Sequence, residues 1–316
     1  MGTSTSPMAY RAPLSNVEGE ADYDITWPWD RGPLTQGCSA VLRVKNEAAS
    51  LPYALPRLFD AGFTEVVVVD NGSTDGTLDV AHDVAATHGA SERLVTRQYP
   101  FSVARCGSEH LSTAPDSVRA LSYFYNWAFS QVSTGYAVKW DGDMVLSSRG
   151  VARLRTLQDK LPGTDTILTA VRLPLYVASD RVAYLDCGMR NKEPFGYPVA
   201  PDYAHMKAFE WELPVWPEQV NFTRMRQGSC VELKWLDADE FGHWTAPSEF
   251  AGARTVRKRR EWEVYTALAA GKEAPVSGVV RIEAPAGVHV VDYVVDTWLG
   301  ENPQPLTGRV KPPVSV

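Results

Sequence analysis

Residues 64–70 read Thr-Glu-Val-Val-Val-Val-Asp. A β-branched run with no polar alternation fits a strand buried on both faces, as in the middle of a parallel sheet. Such a strand needs parallel neighbours, and each neighbour needs a crossover connection, usually a helix. The flanking sequence supplies both. Residues 38–45 (CSAVLRVK) read as a strand and 51–62 (LPYALPRLFDAG) as a helix with prolines in its first turns and a closing Gly62. Residues 73–89 read as a capped helix ending at Gly89, 93–99 as a third strand, 116–132 as a helix and 136–141 (YAVKWD) as a fourth strand. Alternating strands and helices imply an α/β fold with helices on both faces of the sheet. Ligands of such sheets bind beyond the carboxyl ends of the strands.

The second half is richer in strands. Residues 165–177 and 180–189 fit a hairpin or two strands of a mixed sheet. A long helix is expected over 247–271, ending at Gly271, and a late strand over 288–295 (VHVVDYVV). This divides the chain into an irregular N-terminal arm (1–36), a first half (37–150), a second half of the same large domain (151–300) and a loose proline-rich tail (301–316). Trp27 and Trp29 in the arm suggest that it straps across the domain's own back.

Composition narrows the partners. A net charge of −7 argues against nucleic acid, whose binders rest on basic surface. The sequence has no apolar run near the ~20 residues that span a bilayer, and MGTSTSPMAY has no apolar leader core. Cys38, Cys106, Cys187 and Cys230 fit no zinc spacing and point to reduced thiols in a cytoplasm.

The chemistry concentrates at the strand ends. Asp70-Asn71 closes the second strand, Asn46-Glu47 follows the first, and Asp141-Gly142-Asp143 follows the fourth. Side chains two apart in an extended chain share a face, and Gly142 lets the chain bend. Like charges so close raise each other's proton affinity unless a cation sits between them, and an acid-only motif suits Mn²⁺ or Mg²⁺. Such an ion commonly shares phosphate oxygens with a ligand. A bare Asp-x-Asp is common, and a solvated turn is the alternative.

Taken together, VLRVKNEAASLPYALPRL, VVVVDNGSTDGT and FYNWAFSQVSTGYAVKWDGDMVL resemble family 2 glycosyltransferases of the GT-A fold, over roughly residues 38–150. The resemblance implies a Rossmann-like mixed sheet flanked by helices and a nucleoside diphosphate sugar as donor, a UDP-sugar in first place. It implies that Asn46 and Glu47 line the nucleoside pocket with Arg43 near them. Asp70 would bond the base, Asn71 and Ser73 would shape that loop, and Asn126 would sit near the donor. Asp141 would contact the ribose or the metal, and Asp143 would ligate the metal. Inverting transfer also needs a carboxylate to take the acceptor's proton. In the family that acid opens a helix about a hundred residues later. WPEQVNFTRMRQG (216–228) matches best, with Glu218 in place but Gln219 where an aspartate is usual. Asp239 and Glu240 are rivals, as is Glu210-Trp211-Glu212. His243 has the spacing of a metal-ligating histidine, with His289 as second choice.

The basic stretch Arg254–Arg260 reads as a solvated face, as a segment closing over the diphosphate, or as a contact to a membrane surface or an anionic acceptor. The acceptor class stays open among glycans, lipid-linked glycans and small metabolites. Two other functions compete. One is a sugar nucleotidyltransferase, which would need a glycine-rich first loop that RVKNEAASLP lacks. The other is a nucleotide-sugar-binding protein without a base.

Overall fold

The computed structural model describes residues 11–189, 191–208, 211–238 and 253–301. In chain order the elements are β1 (Thr35–Val44), α1 (Leu51–Asp60), β2 (Glu65–Asp70), α2 (Thr77–Thr87), β3 (Leu94–Gln98), α3 (Ser108–Ser112), α4 (Leu121–Ser130), β4 (Thr134–Asp141), β5 (Met144–Leu146), α5 (Ser148–Arg155), β6 (Thr166–Val177), β7 (Val182–Asp186), β8 (Asn191–Pro198), β9 (Ala204–Lys207), β10 (Glu212–Val215), β11 (Asn221–Arg224), β12 (Cys230–Trp235), α6 (Ala253–Ala269), β13 (Val279–Glu283) and α7 (Val290–Asp292), which continues as a π-helix over Tyr293–Glu301.

The main sheet runs β13-β7-β6-β8-β4-β1-β2-β3, with β11, β12 and β5 paired beside this path. β1 is parallel to β2 and β4, and β2 is parallel to β3. Asp70 and Asp141 therefore finish at the same edge: Val44 pairs with Asp70 and Arg43 with Asp141. β8 is antiparallel to β4 and to β6, so β6 again runs with β4. Leu168 of β6 and Val138 of β4 share the partner Gly196. Four residues further along β6, Arg172 thus comes level with the Asp141-Gly142 turn.

Apolar side chains of β1, β2 and β4 pack on one face against α1, α2 and α5. The other face packs against α4. The four Val66–Val69 side chains are fully buried, as the unbroken β-branched run requires. The arm contributes two short 3₁₀ turns, Ala21–Tyr23 and Pro28–Asp30. Tyr23 packs edge-on against Tyr99 and Phe101, and Arg31 donates to the Ser130 and Val132 carbonyls, so the arm straps the α4 face.

Two expectations are corrected. Residues 288–295 are not a strand: His289 caps a helix, its Nδ1 accepting from the Val291 N–H. Val290, Val291, Val294, Val295, Trp298 and Leu299 are buried at helical spacing, a period visible only when the window extends past residue 295. Residues 216–228 do not open a helix. Glu218 is exposed in a bend, and the chain continues as strand β11. The Arg172 and Lys234 positions within β6 and β12 are equally distinctive, because both put cations inside apolar strands.

Candidate active site

The loops after β1 and β2 are tied to each other. Asn46 takes a left-handed backbone (φ 57°), which asparagine tolerates better than most residues. Its N–H donates to Ser73 Oγ at 2.8 Å, and its Oδ1 accepts from the Thr74 N–H at 2.8 Å. The Asp70 carboxylate accepts from the Ser73 N–H at 3.2 Å. Asn71 Nδ2 donates to the Tyr99 and Phe101 carbonyls, which fixes the chain leaving β3. Glu47 packs onto Gly142: a Cβ added there would lie 2.8 Å from Glu47 Cγ. Asn46, Glu47, Asp70, Ser73 and the Asp141–Asp143 turn are thus gathered at one end of the sheet.

Asn126 has a different role. Its Nδ2 donates to the His205 carbonyl at 2.8 Å and its Oδ1 accepts from the His205 N–H at 2.7 Å, so both amide functions bind α4 to β9. Trp140 is fully buried, its indole N–H donating to the Met144 carbonyl, which is a core role.

The acidic turn sits in a network of buried charges. Arg43 Nη2 contacts Asp141 Oδ1 at 2.7 Å, and Arg172 Nη1 contacts Asp141 Oδ2 at 3.3 Å. Lys234 Nζ lies 2.7 Å from Asp143 Oδ2 and 3.0 Å from Glu232 Oε1. Arg172 also pairs with Glu232 and Glu193, and Arg257 with Glu193. The Arg43 guanidinium lies 3.6 Å above the Tyr125 ring. Burial pushes the Asp141 carboxyl up, but Lys139, Arg43 and Arg172 outweigh it and hold it below the ordinary range. Burial drives Asp143 up to about 7, with Glu232 and Asp141 adding to the rise and Lys234 opposing it. Burial opposes ionisation of Glu232 too, yet Arg172, Lys234 and Lys258 hold its carboxyl low.

This arrangement does not fit a divalent ion. Both carboxylates of the turn are already paired with cations of the chain, and the described residues hold no cluster of three or more His, Cys, Asp or Glu suited to a metal. An Mn²⁺ or Mg²⁺ ion at Asp143 would meet the Lys234 ammonium. His243, Asp239 and Glu240 lie outside the described residues. His289 caps α7 instead.

The acids considered for proton transfer separate clearly. Glu218 precedes β11, whose Asn221 pairs with Thr166 at the start of β6, so Glu218 lies at the sheet end opposite Asp141. Glu212 instead lines a cavity of about 370 Å³ with Lys139, Glu193, His205, Trp211 and Arg257. Its Oε2 is buried without a hydrogen-bond partner among the described residues. Burial first, then Lys139 and Arg43, hold the His205 imidazole neutral.

Three residues of the basic stretch are turned inward, while Arg259 is exposed. Arg257 pairs with Glu193, Lys258 with Glu261 at 2.9 Å, and Arg260 with Asp186 at 2.8 Å, so these three are committed to internal acids rather than to a membrane. The Arg254 side chain lies outside the described residues. No described helix is long and apolar enough to cross a membrane. Arg172, Glu232, Lys234 and Lys139 escaped the sequence reading. The signal was present as charges inside otherwise apolar strands, TILTAVRLPLYV, CVELKW and TGYAVKWD.

No curated protein matches the chain. Among solved structures, S. aureus TarS 1–349 aligns at 19% identity and TM-score 0.31, over 44% of this chain and 36% of that one. TarS in complex with UDP-GlcNAc aligns at 14% identity and TM-score 0.41, over 76% of this chain and 74% of that one. The mannosyltransferase PcManGT from Pyrobaculum calidifontis, in complex with GDP-Man and Mn²⁺, aligns at 14% identity and TM-score 0.37, over 77% and 66%. In the first and third cases this chain spans less than two thirds of the other's length. With TM-scores this low the alignments carry no residue role to this chain. Residues 39–99, which run from within β1 through β2 to the end of β3 and include the two tied loops, match the profile described as Glycosyl transferase family 2. Over that segment the chain is similar to glycosyl transferase family 2.

Proposed function

We propose that this protein is an inverting glycosyltransferase that moves one sugar from a nucleoside diphosphate donor, a UDP-sugar in first place, to an acceptor hydroxyl. The observation that carries this reading is the meeting of Asn46, Asp70 and Asp141 at the carboxyl ends of adjacent parallel strands, the place where open α/β sheets bind ligands. Asp70 and the Asn46–Ser73 loops would receive the nucleoside. Arg43, Arg172 and Lys234 would supply the positive charge around the departing diphosphate, since a divalent ion would first have to displace Lys234 from Asp143.

Glu212 is the acid we assign to the acceptor's proton, because it lines a cavity, its Oε2 has no hydrogen-bond partner among the described residues and its charge acts on both Arg43 and Lys139. As the acceptor oxygen bonds to the anomeric carbon, its proton passes to Glu212. The anomeric C–O bond breaks on the opposite side, and the nucleoside diphosphate leaves with the electron pair.

Calorimetric titration with UDP, GDP, CDP and dTDP tests the donor side. One diphosphate should bind in the micromolar range, and Asp70→Ala should weaken it. If none binds, the reading fails. For the base, Glu212→Gln should lower kcat by about 10²–10⁴ while nucleotide affinity stays unchanged.

A further inference from the structure

Among the described residues Lys139 is a buried lysine held by ring contacts alone. It lies in β4 two residues before Asp141, on the same face, with only 7% of its surface exposed. Among the described residues its Nζ makes no hydrogen bond and no ion pair. It sits 5.5 Å above each of the Tyr125 and Phe195 rings. Asp141, Glu193 and Glu212 are near enough to pull on its charge, but each lies beyond ion-pairing distance. A lysine buried in this way is expensive unless something pairs with it.

The same cavity wall holds a second under-used cation. Arg257 spends Nη1 on Glu193 at 3.0 Å and sets Nε 3.8 Å from Glu261 Oε1, while its Nη2 is buried with no hydrogen-bond partner among the described residues. Lys139, Arg257 and Glu212 all line the cavity of about 370 Å³, and Glu212 Oε2 has no hydrogen-bond partner among the described residues. Buried polar groups are nearly always satisfied, so a group of orphans on one wall points to a ligand that satisfies them together. The volume suits a small molecule. Ammonium and guanidinium donors call for an anionic oxygen group, and the carboxylate acceptor calls for a hydroxyl.

We infer that this cavity is the acceptor subsite and that it takes a small hydroxylated anion, a sugar or polyol bearing a carboxylate or a phosphate. Lys139 and Arg257 hold the anionic group, and Glu212 receives the hydroxyl. The inference rests on the proposed transfer for its direction, but the binding it asserts is separate from nucleotide binding.

The test uses nucleotide-free full-length protein and four probes: glucuronate, glucose 6-phosphate, glucose and inorganic phosphate. Glucuronate or glucose 6-phosphate should raise Tm and bind measurably, glucose should not, and phosphate alone should bind more weakly than the sugar that carries its group. The first two probes separate a carboxylate from a phosphate preference. Lys139→Met should weaken the anionic sugar by about tenfold or more, the scale of a lost charged hydrogen bond. Without ligand this variant should melt higher than the parent, because an unpaired buried charge is gone. Lys139→Arg keeps the charge and should keep the preference, which separates loss of charge from loss of fold. Equal binding of glucose and the anionic sugars would overturn the inference, as would undiminished binding by Lys139→Met. If nucleotide binds but no anionic sugar does, the subsite fails and the transferase reading stands. If neither binds, both fail.

Discussion

Lys234 Nζ stands 2.7 Å from Asp143 Oδ2 and 3.0 Å from Glu232 Oε1, with only 2% of its side chain exposed. One ammonium thus joins two buried carboxylates at the place where the Asp-Gly-Asp spacing led us to expect a metal. Removing one member of a buried charge pair typically costs about 3–5 kcal/mol. Lys234→Ala should therefore lower Tm. It also leaves Asp143 and Glu232 facing a gap, which is an oxygen site for a hard cation. Mn²⁺ should raise the Tm of the variant well above its value in EDTA, while the parent melts alike in both. A parent that Mn²⁺ stabilises as strongly as the variant would show that Lys234 does not hold the position against a metal.

Gly142 separates the two acids, and its importance is steric. An added Cβ would lie 2.8 Å from Glu47 Cγ and 2.9 Å from Val44 Cγ1. Gly142→Ala should cost about 1–3 kcal/mol, the range for overpacking a filled interior. It should also weaken nucleotide binding by pushing the Glu47 loop outward. Gly135→Ala is the control, because its Cβ would meet nothing closer than the Thr35 carbonyl at 4.0 Å. Denaturant midpoints of the two variants decide the matter; equal midpoints would mean that the Glu47 loop yields freely.

The first half of the chain was legible because its signals are local. The valine run of β2, the glycines closing α1 and α2, and the polar strand ends each declare themselves within a dozen residues. The Asn46–Ser73 tie follows from them, since parallel strands with short loops bring those loops together. The charge network was not legible, because it is made by register. Arg172 meets Asp141 only because β8 runs between β6 and β4, and Lys234 meets Asp143 only because β12 pairs with both β5 and β6. Glu218 failed for the same reason: its fit was judged by distance along the chain, while β11 carries it to the other end of the sheet. Glu212 stood among the rivals but had no local mark, because its value comes from a cavity lined by residues of β4, β8, β9, β10 and α6.

Thiol reactivity should divide the cysteines sharply. Burial pushes Cys38, Cys187 and Cys230 up to about 12, and all three are enclosed by the core. Cys106 is half-buried beside α3. Since the thiolate is the reactive form, native protein at pH 7.5 should take up one N-ethylmaleimide, at Cys106, and denatured protein should take up four. Peptide mapping that found native labelling at Cys38 or Cys230 would mean that the strand cores open readily.

The C-terminal helical segment should respond to acid. Arg57 of α1 grips Asp296 with both terminal nitrogens, Nη2 to Oδ2 at 2.7 Å, and Ser148 Oγ donates to the same carboxylate. The Arg57 hydrogen bond is the main cause that holds the Asp296 carboxyl below its ordinary value. The sign follows from linkage. A carboxylate whose folded value is depressed stabilises the fold above its unfolded value, and that stability is lost as pH falls through the folded one. The contact is half exposed, so its effect is local docking rather than global stability. Amide exchange over residues 290–301 should be slow at neutral pH and should accelerate, beyond the intrinsic pH trend, once the medium falls below the ordinary carboxylate range. Asp296→Asn should show the faster exchange at every pH and lose the extra acid step. If the variant kept the parent's profile, the segment would be held by Val294, Val295, Trp298 and Leu299 alone, and the Arg57 grip would add nothing to its docking.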